Sequence, residues 1–183
     1  MSQPTKKGNT CLVLNINIHS LKNKINDFEL ALETSNLSPL VLSLTEHWLS
    51  PDDYSSAFKF SNYRPVSTYL RKTSAHGGAC ILVRNDFEAT ECTDIQEMSV
   101  DSVFECAAIK LNLNQNVFNK ILIVTIYRAP NRQNFTVFLR KLKNLLKKLS
   151  SMNKTTTYFI CGYFNFNFLV DFEKNSSNNS SKV

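Results

Sequence analysis

The sequence predicts a mixed α/β layered domain, and three observations support this fold class. Short apolar runs of strand length recur along the chain, two segments carry apolar residues at helical spacing, and the second of these segments lies between two strand-like runs. Strands and amphipathic helices bury their apolar faces by packing in layers. With 183 residues, 43% of them hydrophobic, the chain is long enough for one domain with a substantial core.

The predicted strands are the apolar runs at residues 11–16, 39–44, 79–83, 103–111, 121–127 and 158–161. The run at 39–44 is almost continuously apolar and ends in Thr45, Glu46 and His47. This pattern is typical of a buried strand that delivers polar groups at its end.

Two helices are predicted from apolar spacing. The first covers residues 21–33, with Ser20 as its N-cap and with Leu21, Ile25, Phe28 and Leu32 on its inward face. The second covers residues 134–149, and its basic side chains lie opposite an apolar face formed by Phe135, Phe138, Leu142, Leu145 and Leu149.

Composition narrows the class of protein. The formal charge of +6 predicts a weak attraction to polyanions such as nucleic acid. The five cysteines show no C-x-x-C spacing and lie mostly within apolar runs, so we expect reduced thiols and an intracellular protein, nuclear or cytoplasmic. The N-terminus fits neither a signal peptide nor a membrane span, and no membrane partner is expected. We expect one domain at residues 11–172, with disordered segments at 1–10 and 173–183.

Polar side chains follow four of the predicted strands. Asn17 follows the first strand and Glu46 the second, Tyr127 ends another, and Tyr163 and Asn165 follow the last. In sheet-based enzymes catalytic groups lie where strands run into loops, because the sheet fixes them there. Taken singly, each residue also fits a turn former or a solvated surface group.

Five motifs occur in a fixed order along the chain. They are Asn17-Ile18-His19-Ser20-Leu21, Thr45-Glu46-His47-Trp48-Leu49, Gly77-Gly78 with Val83-Arg84, Tyr127-Arg128-Ala129-Pro130, and Gly162-Tyr163-Phe164-Asn165. Together they resemble the endonuclease/exonuclease/phosphatase superfamily, and most of all the N-terminal endonuclease domain of non-LTR retrotransposons, which accompanies a reverse transcriptase. The resemblance implies a four-layer α/β/β/α sandwich, here lacking its last strands, and a Mg²⁺- or Mn²⁺-dependent phosphodiesterase that cleaves DNA.

The resemblance also implies roles for single residues. Asn17 and Glu46 would hold the metal, since Mg²⁺ prefers oxygen ligands, and the ion would neutralise charge on the phosphate. Tyr127 would steady the phosphate and Asn165 would orient the attacking group. Arg128 and Asn131 would contact the DNA, and no stable oligomer is expected.

The chain departs from the family pattern at Tyr163, where the family has the Asp of G-D-F-N. A phenol titrates near pH 10 and cannot accept a proton at neutral pH as a carboxylate does, and losing such a group costs roughly 10²–10⁴ in rate. The family's S-D-H segment, with its histidine, is also missing, and we expect His19, His47 and His76 to be surface or loop residues. The sequence therefore predicts an inactive nuclease that retains weak metal binding.

Two other interpretations remain open at this point. The chain could be a non-catalytic module that binds nucleic acid or a protein through Lys141, Lys143, Lys147 and Lys148, although these lysines also fit a solvated helix face. It could also be a relic of a mobile element with no selected role.

Overall fold

The computed structural model describes residues 13–53, 58, 60–72, 74, 76–112, 120–152 and 156–166. The expected disordered segments, 1–10 and 173–183, lie outside the described residues. The strands are β1 (Val13–Asn17), β2 (Val41–Thr45), β3 (Tyr63–Tyr69), β4 (Ala79–Arg84), β5 (Glu88–Glu91), β6 (Glu105–Asn112), β7 (Lys120–Tyr127) and β8 (Thr157–Tyr163). The α-helices are α1 (Leu21–Thr34), α2 (Thr93–Gln96) and α3 (Phe135–Ser150), and a 3-10 helix covers Arg132–Asn134.

The strands form two four-stranded sheets, with the orders β1-β2-β4-β3 and β5-β6-β7-β8. Each sheet has one parallel pair, β1 with β2 and β7 with β8, and the other neighbours are antiparallel. A parallel pair needs a crossover connection, which α1 provides in the first sheet and α3 in the second. The carboxyl ends of β1 and β2 therefore meet at one edge, and so do those of β7 and β8.

The two sheets pack face to face and each carries a helix on its outer face. Residues of β2, β4, β6 and β7 fill the space between the sheets, among them Val41, Ile81, Val83, Ile109 and Ile123. Outside the first sheet α1 places Leu21 and Phe28 against Leu42, Leu44 and Leu82. Outside the second sheet α3 places Phe138, Leu145 and Leu149 against Leu122, Val124 and Ile126. This arrangement confirms the predicted four-layer α/β/β/α fold class.

All six predicted strands and both predicted helices are present, but β3 and β5 were not predicted. Both are edge strands, and neither carries a clear apolar pattern: β3 contains Pro65, which an edge strand tolerates, and β5 is largely exposed. The N-cap prediction for Ser20 is wrong in one respect, since its side chain makes no capping hydrogen bond. Ser20 has a φ of +78°, and its own N–H donates to the Glu46 carbonyl.

The described cysteines, Cys80, Cys92, Cys106 and Cys161, are free thiols as predicted. None of the helices in the described part of the chain is long and apolar enough to cross a membrane.

Candidate functional site

The parallel register of β1 and β2 brings the first two motifs together. Asn17 lies opposite Thr45, the residue that precedes Glu46. Beyond the strands the two segments stay joined, because the N–H groups of Ile18, Ser20 and Leu21 donate to the carbonyls of Thr45, Glu46 and His47. Asn17 and Glu46 are therefore neighbours, as the sequence predicts.

Glu46 is a nearly buried carboxylate whose two oxygens both have partners. Its side chain is 10% exposed. Asn17 Nδ2 donates to Glu46 Oε1 at 3.0 Å, and His19 Nδ1 lies 3.1 Å from Glu46 Oε2. Thr45 Oγ1 donates to Asn17 Oδ1 at 3.3 Å and fixes the amide. His19 is exposed as predicted, but its contact with Glu46 was missed because it depends on the loop after β1.

Tyr127 approaches the same carboxylate from the second sheet. It ends β7 and is buried, and its phenol lies close enough to Glu46 for the carboxylate to act on its pKa. Burial, followed by the interaction with Glu46, raises the pKa of Tyr127 well above its ordinary value. The phenol is therefore a protonated donor over the whole physiological range.

The Gly77-Gly78 turn holds the main chain of the Glu46 segment. Gly78 and Gly77 carbonyls accept from the N–H groups of Glu46 at 2.9 Å and Trp48 at 3.0 Å, both of which have positive φ. A Cβ on Gly78 would overlap the His47 ring, and its φ of +89° also favours glycine. The turn therefore needs glycine in order to approach the segment that carries Glu46.

A buried ion pair, which the sequence did not reveal, lies behind this turn. Arg71 Nε donates to Glu105 Oε1 at 2.5 Å, with the side chains 8% and 0% exposed. Glu105 also accepts from the N–H groups of Gly78 at 2.6 Å and Ser102 at 2.8 Å. Burial raises the pKa of Glu105, although these amides and the Arg71 charge act in the opposite direction. Arg71 follows the end of β3 and Glu105 begins β6. A polar residue next to a strand end is the same sequence signal that pointed to the other site residues.

His47 lies in the loop after β2, which agrees with its prediction as a surface or loop residue, but it is buried rather than at the surface. The Leu49 N–H donates to His47 Nδ1 at 3.0 Å, which leaves Nε2 to carry the proton and to donate to the Tyr69 carbonyl at 3.0 Å. Burial lowers the pKa of His47 to about 4, an effect to which the Arg71 charge adds and which the Tyr69 hydrogen bond opposes. The imidazole is therefore neutral and structural.

This burial predicts a pH-dependent stability. Because His47 has a pKa of 6.5 unfolded and about 4 folded, the unfolded chain binds the proton first as the pH falls. We expect the free energy of unfolding to be fully retained above pH 6.5 and to fall by on the order of 3 kcal/mol as the pH approaches 4. Urea unfolding of the wild type and His47→Gln at both pH values measures this loss.

Glu105 acts with the opposite sign, because its raised pKa lets the folded state keep a proton to higher pH. The difference in pH-dependent unfolding free energy between the wild type and His47→Gln therefore reports on His47 alone. The exposed His76→Gln serves as the matched control and should follow the wild type. An equal pH dependence in wild type and His47→Gln would contradict this account.

Tyr163 ends β8 beside Tyr127, and Asn165 follows two residues later. Tyr163 lies in register with Tyr127 and is 43% exposed. Asn165 Nδ2 donates to the Arg128 carbonyl at 2.7 Å, and Arg128 Nη1 donates to the Asn165 carbonyl at 2.7 Å. Asn165 and Arg128 thus fasten the ends of β7 and β8 to each other and place Tyr163 in the row next to Tyr127.

The two residues predicted to contact DNA make internal contacts. Arg128 is 3% exposed and also donates to the carbonyls of Phe164 and Asn131, and the Asn131 side chain accepts from the Gln133 N–H. Contact of either residue with DNA stays a prediction.

Glu46 fits a hard divalent cation, because carboxylate oxygens are donors that Mg²⁺ and Mn²⁺ prefer. The amide oxygen of Asn17 accepts from Thr45 and its Nδ2 faces Glu46, so ligation by Asn17 needs its amide to turn over and stays a prediction. Across the described residues, no three His, Cys, Asp or Glu side chains form a group that could hold a metal. An ion at Glu46 would therefore keep most of its water ligands, as Mg²⁺ does in sites with one or two carboxylates.

Comparison with solved structures identifies the type of fold. No protein-family model and no curated protein matches the chain. Among solved structures, a humanized D. rerio TDP2 with 14 mutations is similar, with a TM-score of 0.59 and 14% identity over 86% of this chain and 67% of that one. D. rerio TDP2 in complex with a single-strand DNA product gives a TM-score of 0.58 and 16% identity over 85% and 60% of the two chains.

AP endonuclease LMAP from Leishmania major is also similar, with a TM-score of 0.54 and 11% identity over 82% of this chain and 54% of that one. The chain thus has the endonuclease/exonuclease/phosphatase type of fold. It spans about half to two thirds of the length of these structures.

Proposed function

We propose that this chain is a DNA-binding domain derived from a metal-dependent phosphodiesterase, and that it binds Mg²⁺ or Mn²⁺ weakly without turnover. The observation that carries the proposal is the cluster of Asn17, Glu46 and Tyr127, in which strand ends from both sheets converge on one nearly buried carboxylate. DNA is the proposed ligand because one similar structure holds a single-strand DNA product and another is an AP endonuclease.

Each side chain of the site has a separate proposed role toward the metal ion or the phosphate. A divalent ion, when bound, polarises a phosphoryl oxygen and neutralises charge on the phosphate. Glu46 supplies oxygen ligands, and Asn17 adds its amide oxygen once that amide turns from Thr45 toward the ion. With Glu46 engaged by the ion, the protonated phenol of Tyr127 donates its one hydrogen bond to a phosphate oxygen instead. Hydrolysis also needs a group that orients and deprotonates water, and Tyr163 provides a phenol in place of the carboxylate. The proposed site therefore binds but does not cleave.

The proposed origin is the endonuclease of a non-LTR retrotransposon. Support comes from the contexts Thr45-Glu46-His47-Trp48-Leu49 and Tyr127-Arg128-Ala129-Pro130, which resemble that branch of the superfamily more than its other branches.

Plasmid nicking in Mg²⁺ tests the loss of turnover. We expect the wild type to show no nicking above background and Tyr163→Asp to gain on the order of tenfold to 10²-fold over it, because the substitution restores a carboxylate at this position. Tyr163→Asn is the matched control, since it has the size of aspartate without the charge, and it should stay at background. Nicking by the wild type at the rate of Tyr163→Asp would contradict the proposal.

A binding module built on the lysines of α3 has less support. Lys141 Nζ donates to the Met98 carbonyl at 3.0 Å, and Lys148 Nζ lies 2.9 Å from Asp94 Oδ2. Lys141 and Lys148 thus hold α3 against the segment that contains α2. Of the four lysines, Lys143 and Lys147 remain exposed.

A further inference from the structure

Arg71 carries a buried hydrogen-bond donor that the fold does not use. Its side chain is 8% exposed, yet its Nη2 has no hydrogen-bond partner among the described residues. Nε is occupied by Glu105. A buried donor without an acceptor destabilises the folded state by roughly 1–3 kcal/mol, so a group kept in this condition requires an explanation.

The guanidinium lies between the two groups that hold Glu46. Its central carbon is 5.7 Å from the centroid of the Tyr127 ring, and the Tyr127 phenol interacts with Glu46. The guanidinium also packs against Gly77, where an added Cβ would overlap it. Gly78, the next residue, accepts from the Glu46 N–H. The unused donor therefore belongs to the candidate site rather than to a remote part of the core.

The charges around Arg71 leave it as the cation of this cluster. Glu46 and Glu105 are carboxylates, and both ring nitrogens of His47 are occupied by main-chain groups of Tyr69 and Leu49. Glu105 shares its charge between Arg71 and the N–H groups of Gly78 and Ser102, so it holds the guanidinium without using all of its donors. A guanidinium fixed in this way presents its remaining N–H groups in a rigid fork, which suits phosphate oxygens.

We propose that the guanidinium of Arg71 binds a nonbridging oxygen of a DNA phosphodiester through the N–H groups that Glu105 leaves unused, and that Glu105 positions Arg71 for this contact. The assignment rests on the proposed function, because it takes the phosphate to the same site as Glu46 and Tyr127. It also accounts for the Arg71–Glu105 pair, which the metal site by itself does not require.

The assignment is tested by measuring how the affinity for a fluorescent single-stranded oligonucleotide depends on salt. Binding is followed by fluorescence anisotropy in the presence of Ca²⁺. The double variant Arg71→Met/Glu105→Gln removes both charges, because removing either one leaves a lone buried charge. We expect about tenfold weaker binding, and a slope of log K against log salt that is less steep by about 0.7, the contribution of one phosphate contact on a single strand. A purely structural role would not change that slope.

Two further variants complete the experiment. Arg64→Met is the matched control, since Arg64 is an arginine of β3 whose Nη2 donates to the Phe87 carbonyl at 2.8 Å, and it should keep the wild-type slope. Arg71→Lys keeps the charge and the partner of Glu105 but loses the fork, so it should bind more weakly with the slope unchanged. This variant also decides the question if the double variant does not fold.

The outcomes separate the two proposals. Suppose that the wild type binds the oligonucleotide. The assignment of Arg71 is then overturned if the double variant keeps the wild-type affinity and slope, or if Arg71→Lys binds as tightly as the wild type. The proposed function stands in either case. If the wild type itself does not bind, the proposed function fails and the assignment of Arg71 fails with it.

Discussion

Glu46→Gln is expected to abolish measurable binding of Mn²⁺ or Mg²⁺ while leaving the protein folded. Glu46 is the carboxylate on which Asn17, His19 and Tyr127 converge, and the described residues offer no cluster of three ligand side chains in its place. Substitution of residues that merely support a ligand costs about 10–100-fold in metal affinity, so removing this charge should cost at least about 100-fold. Mn²⁺ titration followed by electron paramagnetic resonance measures the affinity.

Asp53→Asn provides the matched control for Glu46→Gln. It also neutralises one carboxylate, but Asp53 bonds to Lys22 and Ser50 outside the cluster of Asn17, Glu46 and Tyr127. The control should bind the metal as the wild type does. If Glu46→Gln bound the metal with the wild-type affinity, the metal site would lie elsewhere in the protein.

Gly162→Ala is expected to produce the largest loss of stability. Gly162 has φ of +141°, and a Cβ there would overlap the main-chain carbonyl of Ile126 on the neighbouring strand. Neither atom can move without disturbing the β7–β8 pairing, which also sets Tyr163 beside Tyr127. Backbone strain and overlap together should lower the free energy of unfolding by about 4 kcal/mol, measured by urea denaturation.

Thr157→Ala, at the start of the same strand and exposed, is the control for Gly162→Ala and should change the free energy of unfolding by less than about 0.5 kcal/mol. A loss of under about 1 kcal/mol in Gly162→Ala would contradict the close approach of the two strands.

Local patterns were sufficient for the main elements and for part of the site. β2 and β4 are recognisable because a strand buried on both faces is apolar at almost every position. The helix α3 is recognisable because its apolar residues repeat with the period of a helix that packs on one side. Asn17, Glu46 and Tyr127 were predicted as site residues because each follows or ends such a strand, and the structure brings Asn17 and Tyr127 together at Glu46.

The edge strands and the second half of the site were not predictable in this way. β3 mixes polar residues and Pro65 with its apolar positions, and β5 is short and largely exposed, so their sequences carry little apolar pattern. His47 resembles a loop residue in sequence, and only the packing of the Gly77-Gly78 turn over its ring buries it.

The sequence by itself therefore determined the layered fold class, the positions of its central strands and helices, and the line of polar residues at the strand ends. Tertiary structure alone decided that Arg71 pairs with Glu105, 34 residues away, and that Asn165 bonds to Arg128. The reason is physical: burial of an apolar face imposes a period on neighbouring residues, whereas a contact between polar side chains depends on the register and packing of strands that are distant in the chain.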